Sequence, residues 1–509
     1  MSSAQVNADK PRICWGARRD GKLVCKEPVT DEATIEKVKE LVEELERRIE
    51  KHKDALKSGS FIDEIISQLK QWLETHKKDG GKKAKVARRV VKFMIWLLRK
   101  LREKWSEIYW KQFLELMNSL ERNTTDIIVT GSNSGNKSFI VHLFNKNIAV
   151  IVNKVSTNGR ITISLSLSGS EGDTVKLSNT FSDKKVLKAV QHGWALTDGS
   201  VQDGHPTMST NQPWQAALWS LCYPGEIHMY INGLSINEED VSIKWHLTAN
   251  SHKIMSKEEI VKEVLKFNDK DLRSFIVSAI WGDGHVYIKG KTKHMNLLIG
   301  LSKYDLWYGI IERLINELGF TILIENIIEV KIRSSKVVRL AKEWFSIQDI
   351  KELVELGSSL PDGEKLKRII KLANMEVKEL GRSSITIPGT DISMSINIDG
   401  HCRVTLRTWR KSENEALRLI EELRKVNFNA RKYAENGGYR VLILHSEIQN
   451  KPELKEPVCQ KLSEWLNNEK DKRRKERIAK AMQNLMCPGY TSKEVKEKSS
   501  SIKIPGTNI

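Results

Sequence analysis

Gln191-His192-Gly193-Trp194-Ala195-Leu196-Thr197-Asp198-Gly199 and Ile276-Val277-Ser278-Ala279-Ile280-Trp281-Gly282-Asp283-Gly284 are two helical stretches that end on the same dipeptide. Gly193 aligns with Ser278, and Ala195 lies near Ala279. Small side chains at matched places let two helix backbones approach closely. The Gly after each Asp suits a left-handed C-cap that stops the helix. Each carboxylate then sits at the negative end of a helix dipole. If the two ends meet, two acids and two dipole ends share a small volume. That chemistry favours a hard divalent cation with oxygen ligands, and two such ions suit in-line phosphodiester displacement.

Working outward, the same order of elements follows each stretch. After Asp198-Gly199 come strand-like residues, the helical PWQAALWSLC, the strands IHMYING and VSIKWHLTA, and the helical KEEIVKEVL. After Asp283-Gly284 come HVYIKG and NLLIGLS, the helical YDLWYGIIERLINELGF, the strands TILIENI and EVKIRSS, and the helical VVRLAKEWF. Each run reads helix, two strands, helix, two strands, helix. Residues 187–350 therefore hold two diverged copies of one unit. The predicted fold class is α+β: tandem αββαββα repeats, an N-terminal helical domain and additional small antiparallel sheets.

Period-two alternation predicts one polar, basic face per sheet. His228 and Tyr230 alternate with Ile227 and Met229, and Lys244 and His246 with Ile243 and Trp245. In the second copy His285, Tyr287 and Lys289 alternate with Val286 and Ile288, and Lys331 and Arg333 with Val330 and Ile332. The apolar set packs inward and the basic set faces out. Such a face suits phosphate contacts with some base-edge contacts; the competing reading is an ordinary solvated surface.

The paired helices resemble the LAGLIDADG motif of homing endonucleases and their relatives, over about residues 187–350. The resemblance rests on the final Asp-Gly of both copies and on the αββαββα order. It implies that Asp198 and Asp283 bind a catalytic Mg²⁺ and that saddle-shaped sheets lie along double-stranded DNA. It further implies catalytic roles for Lys253 and Lys336, in NSHK and RSSK, beside the active centre. Where the motif carries an earlier acid, this chain has Leu196 and Trp281. Two functions follow: a metal-dependent DNA endonuclease, or a non-cutting DNA- or RNA-binding protein serving regulation, replication or splicing. The stretch HGWALTDGSVQDGHPTMSTNQPWQ also resembles a poorly characterised crenarchaeal family first noted as a repetitive protein family in Pyrobaculum. Together the resemblances imply an archaeal chain of mobile-element ancestry, acting as a monomer through its two repeats.

The rest of the 509 residues is read by composition and period. The net charge of +19 favours a polyanionic partner, nucleic acid before membrane. The predicted divisions are 1–120, helical with a basic face; 121–186, β-rich, as a small antiparallel sheet; 187–268 and 269–380, the two repeats; 381–450, α+β; and 451–509, one basic helix and a disordered tail. The third long N-terminal helix carries Lys83, Lys85, Arg88, Arg89, Lys92, Arg99, Lys100, Arg102 and Lys104, read as a solvated face or a phosphate-contacting arm. Gly131 to Ser138, GSNSGNKS, nearly spells a P-loop, but Asn136 stands before the Lys and a strand pattern follows, so a hairpin turn is expected. Six scattered cysteines with no CxxC pair fit a reducing interior. Cys14 and Cys25 can face each other across a hairpin, where zinc would lack two ligands. No apolar run is long enough to span a bilayer and no signal peptide is evident, so a cytoplasmic protein is expected. Trp194, Trp214, Trp219, Trp281 and Trp307 read as core, and His192 as a satisfied polar residue.

Overall fold

The described residues open on the hairpin that faces Cys14 toward Cys25. β1 (Ile13–Arg19) and β2 (Lys22–Pro28) pair antiparallel, and Cys14 is disulfide-bonded to Cys25 across them. This computed structural model describes residues 13–20, 22–131, 139–154, 159–170, 172–290, 292–376, 383–435, 437–469 and 471–490. The P-loop-like residues 132–138 and the predicted disordered tail from 491 onward lie outside the described residues. The chain divides into two units, residues 1–376 and 377–509.

The N-terminal helices follow the sequence period. They are α1 (Glu32–Lys51), α2 (Lys53–Ser58), α3 (Ser60–Thr75), α4 (Lys82–Lys104) and, after a π-helical turn over Trp105–Tyr109, α5 (Trp110–Glu121). Asp31 caps α1 by accepting from the Thr34 amide. The inward stripe of α4, Val90, Met94, Leu97 and Leu101, is buried.

β3 (Ile127–Thr130), β4 (Phe139–Asn145), β5 (Ile148–Lys154), β6 (Ile161–Leu167) and β7 (Gly172–Leu177) follow. The first repeat-like stretch then runs α6 (Lys184–Leu196), β8 (Gly199–Gln202), β9 (His205–Thr210), α7 (Pro213–Cys222), β10 (Gly225–Ile236), β11 (Val241–Ala249) and α8 (Lys257–Val264). The expected separate small sheet over 121–186 is absent as such. β3 to β6 continue into β10, so one 11-stranded sheet has the order β2-β1-β3-β4-β5-β6-β10-β11-β9-β8, with β7 also on β10. The reason is length: β10 spans twelve residues, and its two ends serve different partners. Gly225 to Tyr230 pair with β7, and Gly233 to Ser235 pair with β6.

The second stretch runs α9 (Asp269–Trp281), β12 (Gly284–Lys289), β13 (Thr292–Ile299), a 3₁₀ turn, α10 (Tyr304–Leu318), β14 (Thr321–Ile324), β15 (Ile328–Arg333) and α11 (Ser334–Ser346). Its four strands form their own antiparallel sheet, β12-β13-β15-β14. The matching strands of the first stretch run β8-β9-β11-β10. Numbered within each stretch, both sheets have the order 1-2-4-3. α12 (Gln348–Ser358) and α13 (Glu364–Ala373) complete the unit, α13 packing on α11, α12 and β12.

The second unit holds one core. β16 (Ser384–Thr386), β17 (Ser393–Ile398), β18 (Val404–Arg410), β19 (Arg431–Glu435) and β20 (Gly438–Ile443) form the sheet β16-β17-β18-β20-β19. The helices are α14 (Glu413–Lys425), α15 (His445–Asn450), α16 (Pro452–Asn468) and α17 (Lys472–Asn484). The predicted single basic helix is two, because the Asp471 carboxylate caps a new helix by accepting from the Arg474 amide. Cys459 on α16 is bonded to Cys487 beyond α17. The cysteines thus depart from the reduced state expected: two pairs are disulfides, and Cys222 and Cys402 are buried thiols. No helix among the described residues is long and apolar enough to cross a membrane.

Candidate functional site at the paired helix ends

α6 and α9 lie against each other at their C-terminal halves. A Cβ on Gly193 would stand 2.0 Å from Ser278 Oγ and 2.4 Å from the Phe275 carbonyl oxygen, so only glycine admits this approach. One turn on, a Cβ on Gly282 would stand 2.5 Å from Thr197 Oγ1. Gly193 thus meets its aligned mate Ser278, and Thr197 meets its mate Gly282. Contact of each residue with its own counterpart is the pattern of a twofold axis between the helices. Trp194 and Trp281 flank the contact, both fully buried, with ring centroids 6.0 Å apart.

The helices stop differently from the C-cap expected. Neither Gly199 nor Gly284 has a positive φ. The C-cap residues are Thr197 (φ −105°) and Gly282 (φ −70°). The glycines instead let the departing strand fold tightly over its own helix. A Cβ on Gly199 would lie 2.7 Å from Ala195 Cα, and one on Gly284 would lie 2.5 Å from Ile280 Cα.

This packing brings Asp198 and Asp283 together, and their side chains share a hydrogen bond. Burial first, and then the Asp283 charge and that hydrogen bond, push the Asp198 carboxyl up to about 7. Three side chains outside the motif complete the centre. Lys365, on α13, donates from Nζ to the carbonyls of Ile280 (3.2 Å), Trp281 (2.9 Å) and Gly282 (3.1 Å). It therefore satisfies the orphan carbonyls at the end of α9 and sits at the negative pole of its dipole. Its ammonium also lies 5.9 Å over the Trp214 ring. Burial pulls Lys365 down to about 8, against the opposing pull of Asp198 and Asp283. Gln215 on α7 donates to Asp198 Oδ2 (3.3 Å) and to the Trp281 carbonyl (2.8 Å). Lys257, in the first turn of α8, is drawn down by burial and by Lys303, while Asp283 opposes the shift. Among the described residues no three His, Cys, Asp or Glu side chains gather so as to hold a metal ion.

Neither of the two lysines named beside the motif ends a strand. Lys253 is exposed in the loop after β11. Lys336 lies in the first turn of α11, not at a strand end, and its side chain covers Gly319 at the C-cap of α10. His192 is buried, its Nε2 2.6 Å from Glu263 Oε2 and its ring stacked on Phe267.

Both sheets carry the alternation read from sequence. Ile227, Met229, Ile243 and Trp245 are fully buried, while His228, Tyr230, Lys244 and His246 are half-buried. Tyr230 faces His246 across the strands at 4.8 Å, and Ser209 Oγ lies 2.8 Å from His246 Nδ1. In the other sheet His285, Lys289 and Arg333 are exposed, and Tyr287 and Lys331 half-buried. Tyr287 stacks on His294 at 4.9 Å, and His294 pairs with Arg333. The face is less basic than its sequence implies. Glu329 shares it and binds Lys331 at 3.0 Å. Burial, followed by neighbouring charges, holds His246, His285 and His294 below the usual imidazole range.

On α4, Lys85, Arg89, Lys92 and Arg99 are exposed along one ridge. Lys83 is not part of that ridge. It is buried, ion-paired to Asp349 and to Glu352 (3.1 Å), and donates to the Thr180 carbonyl (3.0 Å).

No protein-family description matches the chain, and no curated protein matches it. Among solved structures the chain is similar to the N-terminal LAGLIDADG domain of DUF199/WhiA, with 13% identity and a TM-score of 0.23, over 35% of this chain and 84% of that one.

Proposed function

We propose that the two αββαββα stretches are paired units of LAGLIDADG type, and that the protein binds double-stranded DNA across their outer sheet faces without cutting it. The observation that carries this reading is the α6–α9 contact, in which residues meet their own counterparts and both helices end on an aspartate. Two antiparallel four-strand arrays, one inside the 11-stranded sheet and one forming its own, are each ordered 1-2-4-3 and each present Tyr, His and Lys or Arg outward, which suits a duplex backbone. The net charge of +19 supplies the attraction.

The donors at the helix ends are partly taken. Two carboxylates with waters and substrate phosphates are enough for Mg²⁺, but the carbonyls at the end of α9 already accept from Lys365, whose ammonium puts a positive charge beside the acids. The second reading, metal-dependent cleavage, is favoured by the convergence of Asp198 and Asp283. It requires a metal to bind beside the Lys365 ammonium.

Supercoiled plasmid and a labelled duplex decide between these readings. The expected result is salt-sensitive duplex binding that weakens on Lys244→Ala, Lys289→Ala and Arg333→Ala, and no strand cleavage with Mg²⁺ or Mn²⁺. Cleavage lost in Asp198→Asn and Asp283→Asn would establish the second reading. Absence of duplex binding by the wild type would overturn both.

A further inference from the structure

The second unit contains the same strand arrangement a third time. β17 and β18 form a hairpin, α14 follows, and β19 and β20 form a second hairpin. β18 pairs with β20, giving β17-β18-β20-β19. That is again the antiparallel order 1-2-4-3 around a central helix. Among the described residues no helix ending on Asp-Gly opens it.

One face of this sheet is the core. Met394, Ile396, Val404, Leu406, Val441 and Ile443 are buried against α14 to α17. The alternate residues form two cross-strand rows on the other face. One row is Ser395, Arg407, Leu442 and Arg431. The other is Trp409, Arg440 and Tyr433. Trp409 is 48% exposed and Tyr433 44%. Arg407 and Arg431 have no acid partner among the described residues, and Arg440 pairs with Glu435. Trp409 is held in place. Its indole lies over Gly438, where a Cβ would come within 2.4 Å of Cζ2, so the glycine seats the ring and leaves its other side to solvent.

We propose that this face of the C-terminal unit binds single-stranded nucleic acid, with Trp409 and Tyr433 stacking unpaired bases and Arg407, Arg431 and Arg440 holding the phosphates. The chemistry selects that partner. An exposed indole and phenol on an open sheet offer flat platforms that any unpaired base can use. A duplex keeps its bases stacked inside and presents only phosphates and groove edges. Strand spacing sets the two platforms about 10 Å apart on either side of Arg440, so the cation stands between two stacking sites. The surface differs from the faces of the first unit, where the tyrosines are half-buried between histidines. The inference stands on this unit alone and does not need the duplex reading.

The full-length protein is titrated into fluorescein-labelled oligo(dT) and oligo(rU) of about 20 nucleotides, and into a duplex of the same length. Trp409→Ala and Tyr433→Ala are each expected to weaken single-strand binding by about 5- to 100-fold, while Trp409→Phe retains most of it. Duplex binding should change little in these variants, and should fall instead on Lys289→Ala with Arg333→Ala. The dT and rU arms separate DNA from RNA as the source of the strand. Ultraviolet cross-linking of 5-iodouracil oligonucleotides should label peptides containing Trp409 or Tyr433. Both aromatics are exposed, so circular dichroism is expected to match wild type. No single-strand binding by wild type would overturn the proposal, as would equal binding by the alanine variants, or cross-links confined to the first unit.

Discussion

The Nζ of Lys365 lies 2.9 Å from the Trp281 carbonyl oxygen, at the point where α9 ends and Asp283 begins. The residue reaches this position from α13, well outside the motif, and feels the charge of both acids. It also donates to the carbonyls on either side. Asp198 and Lys365 are half-buried and Asp283 is exposed, so removing the ammonium chiefly leaves the carbonyls at the end of α9 without their donor. Lys365→Met is therefore expected to cost about 1–3 kcal/mol. It should also free the oxygens for another cation. Thermal denaturation with and without Mn²⁺ checks this: the variant's Tm should rise with the metal, the wild type's should not, and Asp283→Asn should remove the response. An equal response in wild type and variant would mean that the ammonium does not exclude the metal.

Asp198 makes the same centre sensitive to pH. Its carboxyl is raised to about 7 by burial and then by Asp283, whereas an unfolded Asp titrates near about 3.9. A raised carboxyl pKa means the folded state holds a proton that the unfolded state has released. The stability this group contributes is fully present below about 3.9 and is lost as pH rises through about 7. Asp198→Asn, which cannot ionise, should gain on wild type as pH is raised from about 4.5 to about 7.5. Urea midpoints across that range measure the gap, and a gap independent of pH would contradict the assignment.

Close approach of α6 and α9 rests on one missing methyl. Gly193→Ala places a Cβ 2.0 Å from Ser278 Oγ and 2.4 Å from a backbone oxygen. Alanine improves intrinsic helix propensity by about 1 kcal/mol, yet overpacking typically costs about 1–3 kcal/mol. Net destabilisation is expected because the nearest backbone atom cannot rotate away. Ser278→Gly in the same chain should restore only part of the loss, since it clears the hydroxyl and leaves the Phe275 carbonyl. Full additivity in a double-mutant cycle would show that the two residues do not touch.

These contacts also explain what could be read in advance. The α6–α9 pair was legible because helical period, matched small residues and a repeated Asp-Gly all fall within two short windows. Lys365 was not, because EKLKRIIKLA contains four basic residues and only the docking of α13 on β12 distinguishes one of them. Lys83 was hidden in the same way among the lysines of α4. The merging of β3 to β6 with β10 escaped because edge pairing is non-local and leaves no trace in period two. Strand β19, RKYAE, escaped because its alternation is short and runs straight into Asn-Gly-Gly in the sequence.

Lys83 and Asp349 yield the firmest stability prediction. Asp349 is buried and accepts from Ser182 Oγ (2.8 Å) and the Asp183 amide (3.2 Å) as well as from Lys83. Burial pushes its carboxyl up, and Lys83 with Ser182 more than offsets this, so it stays below the usual range. Lys83→Met should cost about 3–5 kcal/mol, because Asp349 keeps its charge without its cation. Lys83→Met combined with Asp349→Leu should cost less than the sum of the single changes. Chemical denaturation of the four chains measures the coupling, and coupling near zero would remove Lys83 from the structural core.

Duplex binding by the outer sheet faces should depend on pH through the histidines. Burial, with Lys244, Lys331 and Arg368 among the neighbouring charges, keeps His246 and His285 below the usual imidazole value, so at neutral pH they add no positive charge. A phosphate set against either ring stabilises the protonated form and raises its pKa in the complex. Binding must then take up protons, and affinity must rise as pH falls from about 7.5 to about 5.5. Each imidazolium that meets a phosphate should also steepen the salt dependence by about one unit of log–log slope. His246→Gln and His285→Gln together should flatten both trends while leaving neutral-pH affinity nearly unchanged. Fluorescence anisotropy at several salt concentrations and two pH values makes the measurement. An affinity independent of pH, or a trend as steep in the double variant, would mean that DNA does not lie on these faces.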